Sequence, residues 1–235
     1  MKSLFATDSQ VLNKNLSLKV KVTKAISLKF IGHLRVYIVL KCVTDGNMSV
    51  EVYFATSNKN KFLEAYEILS ELGVVLKWLR TTKVEIQSDL LDEIARKSAL
   101  EIAQRTGRHV VVEDDGLFIE ALKGFPGPYS SFVYRTIGLK GVLKLLEGVK
   151  NRAAYFKSVV AYAEPNGFVK TFEGRIDGII SLEPRGEEGF GYDPIFIPES
   201  YDKTFAELGL KVKNTISHRR RAFENFAKWY IKRYL

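Results

Sequence analysis

The sequence predicts an α/β fold, and three observations predict it. Strand-like and helix-like segments alternate from residue 50 to residue 114, as in a sheet that is at least partly parallel. The stretch "HVVVED" is apolar without alternation, which fits a strand buried on both faces. Two long strand-like runs then flank the turn "EPNG" and read as an antiparallel hairpin that extends the sheet.

Each element has its own signal. Val50–Ala55 is a β-branched and aromatic run, hence a first strand. After the polar turn "TSNKNK", Phe62, Ala65, Tyr66, Leu69 and Leu72 recur at helical spacing, and Gly73 stops the helix. "VVLKWLRT" is a second strand. "SDLLDEIARKSALEIAQRTG" is a second helix, with Ser88 or Asp89 as N-cap and Gly107 as its stop. "HVVVED" is a third strand, bounded by Gly107 and Gly116, and "GLKGVLKLLEGV" is a short helix. The chain ends in a helix with Ser217 as N-cap and Ala222, Phe223, Phe226, Ala227, Tyr230 and Ile231 on one face. Residues 48–235 therefore read as one continuous domain, without an internal repeat or a heptad seam.

Residues 1–47 stand apart as a basic N-terminal extension. They hold eight of the 36 basic residues and two of the 27 acidic ones, so +6 of the net +9 lies there. Pieces such as "LSLKVKV" and "HLRVYIVLKCV" are strand-like, but lysines interrupt every apolar stretch, which argues against a secretory signal. Met48 opens "MSVEVYFATSNKNK" as a natural domain start, so the extension reads as a start-site artefact or a poorly ordered appendage. The remaining chain carries only +3, which makes nucleic acid an unlikely partner of the domain. No apolar run reaches the roughly 18–20 residues of a membrane span. The single cysteine, Cys42, excludes an internal disulfide and fits a reducing compartment, so the cytoplasm is the expected location.

Four constellations carry chemistry. Thr56, Ser57, Asn58, Lys59, Asn60 and Lys61 follow the first strand, where α/β folds place ligands. The turn reads either as a phosphate cradle on a helix N-terminus or as a plain polar turn capped by Asn58. Glu113, Asp114 and Asp115 are three adjacent acids, with Glu85 upstream. They read either as oxygen ligands for a hard divalent cation or as solvated turn acids with Asp115 capping a helix. Side chains alternate along a strand, so Asp114 and Asp115 need not converge on one ion. In "GEEGFGYDPIFIP", Phe190, Gly191, Tyr192 and Asp193 form either a nucleobase-contacting loop or a tight turn whose aromatics fill the core. His218 and Arg219 fall in the first turn of the last helix, an end that is already positive; they read either as groups that meet an arriving anion or as a solvated basic patch.

These motifs, with "KTFAEL", resemble the inosine triphosphate pyrophosphatase family in order and across essentially all of residues 50–235. The resemblance implies an elongated two-lobed mixed sheet flanked by helices, a substrate cleft between the lobes, and a homodimer. It implies Mg²⁺-dependent hydrolysis of non-standard purine nucleoside triphosphates (ITP, dITP, XTP) to the monophosphate and pyrophosphate. By position, Thr56–Lys61 would hold the triphosphate. Glu85 and Asp114 would bind Mg²⁺, with Asp114 also the catalytic base. Phe190–Asp193, Lys213, His218 and Arg219 would hold the nucleotide, with Phe190 stacked on the base and Asp115 beside the substrate. Two alternatives remain: a Maf-type pyrophosphatase acting on pyrimidine or modified nucleotides, and a non-catalytic nucleotide- or RNA-binding module.

The chain departs from the family pattern in four places. Ser57 stands where a glycine is usual, and Asp115 where Ser or Thr is usual. Ser98 replaces a lysine, with Lys97 one place earlier. "SSFVY" replaces a basic residue, leaving Arg135 as the nearest cation.

Overall fold

The structure, a computed structural model, describes residues 51–82 and 86–235. The expected extension, Val50 and Glu85 lie outside the described residues. Seven strands form one mixed sheet in the order β2-β1-β3-β5-β6-β7, with β4 paired to β3. These are β1 (Val52–Ala55), β2 (Leu76–Leu79), β3 (His109–Ile119), β4 (Pro126–Gly127), β5 (Ala153–Ala163), β6 (Val169–Ile180) and β7 (Phe196–Pro198). The β1 strand is parallel to both β2 and β3, as the alternating opening predicts. The long hairpin is β5 and β6, antiparallel over the full length of β5.

Six α-helices accompany the sheet among the described residues: α1 (Lys59–Glu71), α2 (Leu91–Thr106), α3 (Ser130–Thr136), α4 (Gly138–Leu145), α5 (Phe205–Ile216) and α6 (His218–Tyr234). Helices α1 and α6 share a core with Val111, Val160 and Tyr162 on one face of the sheet. On the other face, α2 packs on Val110, Val112, Val159 and Ala161. A third core gathers Leu117, Ile119, Ala154, Phe156, Ile176 and Phe205 at the far end of the same strands.

Several expectations require correction. The third strand does not stop at its acids but runs on to Ile119. Gly116 is not a terminator. A Cβ there would lie 2.3 Å from the Gly127 carbonyl oxygen, so the glycine lets β4 cross β3 closely. Asp115 is therefore a strand residue and caps no helix. Helix α2 begins after Leu90 without a side-chain cap. The Ser88 hydroxyl instead accepts from the Leu90 N–H at 3.1 Å and donates to Glu93. The buried face of α1 is Glu64, Ala65, Ile68 and Leu69, whereas Tyr66 is exposed. Phe62 leaves that face to stack on Trp78 of β2, with ring centroids 4.6 Å apart. Ile231 is exposed, and the other five residues predicted on the face of α6 are buried. Helix α5 and strand β7 carried no separate signal; Gly209, at φ 80°, interrupts α5 and blurs its period.

Candidate active site

A gap in the sheet makes the site. The β1 strand pairs with β3 only as far as Val111, and β4 begins pairing at Leu117. Among the described residues, Val112–Gly116 have no strand neighbour on that edge. A cleft of about 890 Å³ opens beside this stretch. It is lined by Thr56, Ser57, Asn58, Asn60 and Lys61, and by Gly189–Asp193, Lys213, His218 and Arg219. The three acids thus sit neither at a strand end nor in a turn. They occupy the seam where the cores under α1, α2 and α6 stop and the third core begins.

Strand alternation divides the acids. Glu113 and Asp115 share the face covered by α1 and α6, and Asp114 takes the other. On the shared face a dense charge network forms. Arg219 reaches Glu113 Oε1 at 3.1 Å, Asp115 Oδ2 at 3.0 Å, and Glu64. Lys61 contacts Glu113 Oε2 at 3.0 Å and also pairs with Asp115. Lys213 lies 2.7 Å from Asp193 and 3.0 Å from Glu64. The buried Ser158 hydroxyl donates to Glu113 at 2.8 Å. Glu64 and Ser158 are the participants that sequence reasoning missed. The usable signal was the placement of Glu64 one helical turn after Lys61 and one before Ile68, on the apolar face.

Local sequence explains why these groups can meet. Gly174 of β6 bears directly on α6: a Cβ there would lie 2.1 Å from the His218 carbonyl oxygen. Only a missing side chain lets the N-terminus of α6 settle on the sheet beside Glu113. Ser217 caps that helix by accepting from the Arg220 N–H, as predicted. Gly189, at φ 82°, makes room for Asp193, whose Oδ2 would be 2.2 Å from a Cβ. Asp193 Oδ2 also accepts from the Phe190 N–H at 2.8 Å. In the first turn, Asn58 accepts from the N–H groups of Asn60 and Lys61, so the capped polar turn is real and also faces the cleft. Lys59 is exposed and does not line the cleft.

The electrostatics follow from burial and pairing. Burial opposes ionisation of Lys61, but the Asp115 and Glu113 carboxylates hold it above the ordinary lysine range. Burial would raise Asp115, yet Lys61 and Arg219 hold it well below the ordinary range. Burial likewise opposes the ionised form of Glu64, and Arg219 and Lys213 overcome it and lower the carboxyl. Asp193 goes the other way, raised by burial despite Lys213. His218 is lowered by burial and is neutral at pH 7.

His218 is only 2% exposed, and neither ring nitrogen has a hydrogen-bond partner among the described residues. Nε2 lies 3.5 Å from Asp115 Oδ2, too far for a good hydrogen bond, and the ring stacks on Phe156 at 4.6 Å. Phe190 is half-buried, with the Lys213 ammonium 4.3 Å from its ring centre. Tyr192 is buried, and its hydroxyl donates to the Ser130 carbonyl at 2.8 Å. Tyr192 thus fills the core, as the tight-turn reading expects, and Phe190 lines the cleft.

Asp114 is half-exposed and lines the cleft. Its carboxylate oxygens are suitable donors for a hard cation, and Glu113 and Asp115 are already committed to Lys61 and Arg219. Among the departures from the family pattern, Ser98 is buried in α2 and Lys97 points to solvent. Arg135 does line the cleft, beside Phe132.

The Ham1 family model matches residues 52–229. A dITP/XTP pyrophosphatase from Methanopyrus kandleri is 57% identical over 181 residues, covering 77% of this chain and 96% of the relative. A dITP/XTP pyrophosphatase from Thermococcus kodakarensis is 53% identical, covering 75% and 95%. The solved structure of a HAM1 protein from Coxiella burnetii superposes with a TM-score of 0.69 at 33% identity, covering 78% of this chain and 99% of that one. No helix among the described residues is long and apolar enough to cross a membrane.

Proposed function

The chain belongs to the Ham1 family of nucleoside-triphosphate pyrophosphatases, and from that premise we propose that it hydrolyses dITP, ITP and XTP to the nucleoside monophosphate and pyrophosphate. The observation that carries this reading is the composition of one cleft, which brings together Lys61 and the capped turn, Asp114, and Phe190, His218 and Arg219. A triphosphate, an attacked phosphorus and a planar polar base need those chemistries in one place.

In this reading, water attacks the α-phosphorus and the bond to the bridging oxygen of the β-phosphate breaks. Asp114 accepts the proton of the attacking water and returns it to solvent. Thr56, Ser57, Asn58, Asn60 and Lys61 bind and orient the leaving pyrophosphate. Asp114, with Glu85 as the expected partner, would hold Mg²⁺; when bound, the ion neutralises phosphate charge and polarises the phosphoryl oxygens. The His218 nitrogens, unpartnered and neutral, supply one donor and one acceptor to the base edge. A donor aimed at a 6-oxo group is left unpaired by the 6-amino group of adenine, which works against ATP. Homodimerisation and a cytoplasmic location belong to the same proposal, and light scattering on the purified protein checks the first.

The decisive assay incubates the protein with ITP, XTP, ATP and UTP plus Mg²⁺ and resolves the products. Monophosphate and pyrophosphate from ITP and XTP are expected. Orthophosphate alone, or equal rates with ATP, would refute the reading; a preference for UTP would favour Maf-type chemistry instead. Asp114→Asn is expected to abolish turnover with the fold intact.

A further inference from the structure

Asp115 is the surplus member of the buried charge network. Glu64, Glu113, Asp115 and Asp193 bring four carboxylates to three cations, Lys61, Lys213 and Arg219, so the network carries −1 before Asp114 is counted. Each cation that Asp115 touches has another carboxylate. Lys61 keeps Glu113 at 3.0 Å, and Arg219 keeps Glu113 at 3.1 Å together with Glu64. The side chain of Asp115 is 17% exposed, against 0% for Glu113 and 5% for Glu64. Ser158, opposite Asp115 in the strand register, donates its hydroxyl to Glu113 rather than to Asp115. Asp115 therefore covers the side of Lys61 and Arg219 that faces the cleft, while the deeper acids hold those cations from behind.

We propose that Asp115 is an internal competitor of the substrate's phosphates. In the free protein its carboxylate occupies the cleft-facing sides of Lys61 and Arg219, and it yields them when an anionic ligand enters. The device rests on the nucleotide reading above and adds to it a limit on affinity. Polyanions bind less tightly than Lys61 and Arg219 would otherwise allow, and pyrophosphate leaves more readily after the bond is cut. Removing the charge also brings the network from −1 to neutral, which favours an entering anion by the same sign.

The test uses the full chain with Asp115→Asn and Asp115→Ser. Calorimetry with inorganic pyrophosphate alone is expected to show about tenfold tighter binding in both variants, the scale of one charge-assisted hydrogen bond no longer displaced. The KM for ITP should fall in parallel, and kcat should fall if product release becomes slower. Lys61→Met should lose pyrophosphate binding, which locates the probe. Unchanged or weaker pyrophosphate affinity in both variants overturns the proposal, because Asp115 would then serve to hold Lys61 and Arg219 in place. Loss of the folded circular-dichroism signal in both variants overturns it equally, by making Asp115 structural. Failure of the wild-type chain to release monophosphate and pyrophosphate from ITP would refute the pyrophosphatase reading separately, since the calorimetric comparison needs no turnover.

Discussion

Glu64→Gln tests whether the site is organised from α1. Glu64 is the one carboxylate that touches both Lys213 and Arg219, and it joins α1 to α5 and α6 through buried charges. Removing one partner of a buried ion pair costs about 3–5 kcal/mol when the other is left alone. Neither cation is left alone here. Lys213 keeps Asp193 at 2.7 Å, and Arg219 keeps Glu113 and Asp115. The loss is then two charge-assisted contacts, partly offset because three cations would face three carboxylates, and we place it at about 2–3 kcal/mol. For a domain of this size that lowers Tm by roughly 5–10 °C. The assay is thermal unfolding by circular dichroism at pH 7, alongside Asp115→Asn. Asp115→Asn should cost less than Glu64→Gln, because Lys61 and Arg219 each keep Glu113 and the Asp115 side chain is more exposed. A Glu64→Gln protein that melts with the wild type, or an Asp115→Asn protein that loses more than Glu64→Gln, would refute the division into a deep structural acid and a surplus cleft-facing one.

Gly174→Ala is expected to push α6 away from β6, costing about 1–3 kcal/mol and raising KM more than it lowers kcat, as read by thermal melts and ITP kinetics. Gly189→Ala combines a left-handed φ of 82° with the collision at Asp193, and should loosen Lys213 and weaken nucleotide binding by calorimetry. Burial depresses His109 and His218, so the unfolded chain takes up protons first and stability falls as pH drops below about 6.5. A Tm that is flat from pH 8 to pH 5 would contradict that. Tyr162→Phe removes the hydroxyl between His109 and Tyr234. The Tyr162 hydroxyl donates to Tyr234, which donates to Glu164, so His109 must donate through Nδ1; the variant takes away the acceptor of His109, while Tyr234 keeps Glu164 and Arg233, and should cost about 1 kcal/mol.

The parts of this molecule legible in its sequence are those governed by short-range rules. The alternation of strand and helix gave the parallel half of the sheet, "EPNG" gave the hairpin, and Ser217, Asn58, Gly73 and Gly107 each cap or end a helix as read. What escaped was decided by tertiary neighbours. Glu64 is buried because Lys213 and Arg219, about 150 residues away in sequence, await it. Gly116 looked like a terminator because what makes it necessary is the carbonyl of Gly127 on another strand. The three acids misled for the same reason. Read locally, they repel one another and should end a buried strand. In the fold, Lys61 and Arg219 compensate two of them across one face, alternation sends the third to the other, and the missing neighbour between β1 and β4 opens that stretch to the cleft. The charge balance then explains why one strand supplies both functions. Glu113 must stay buried to hold Arg219, Asp114 must stay half-exposed to reach a ligand, and adjacent positions on a strand hold two carboxylates a few ångströms apart in opposite environments.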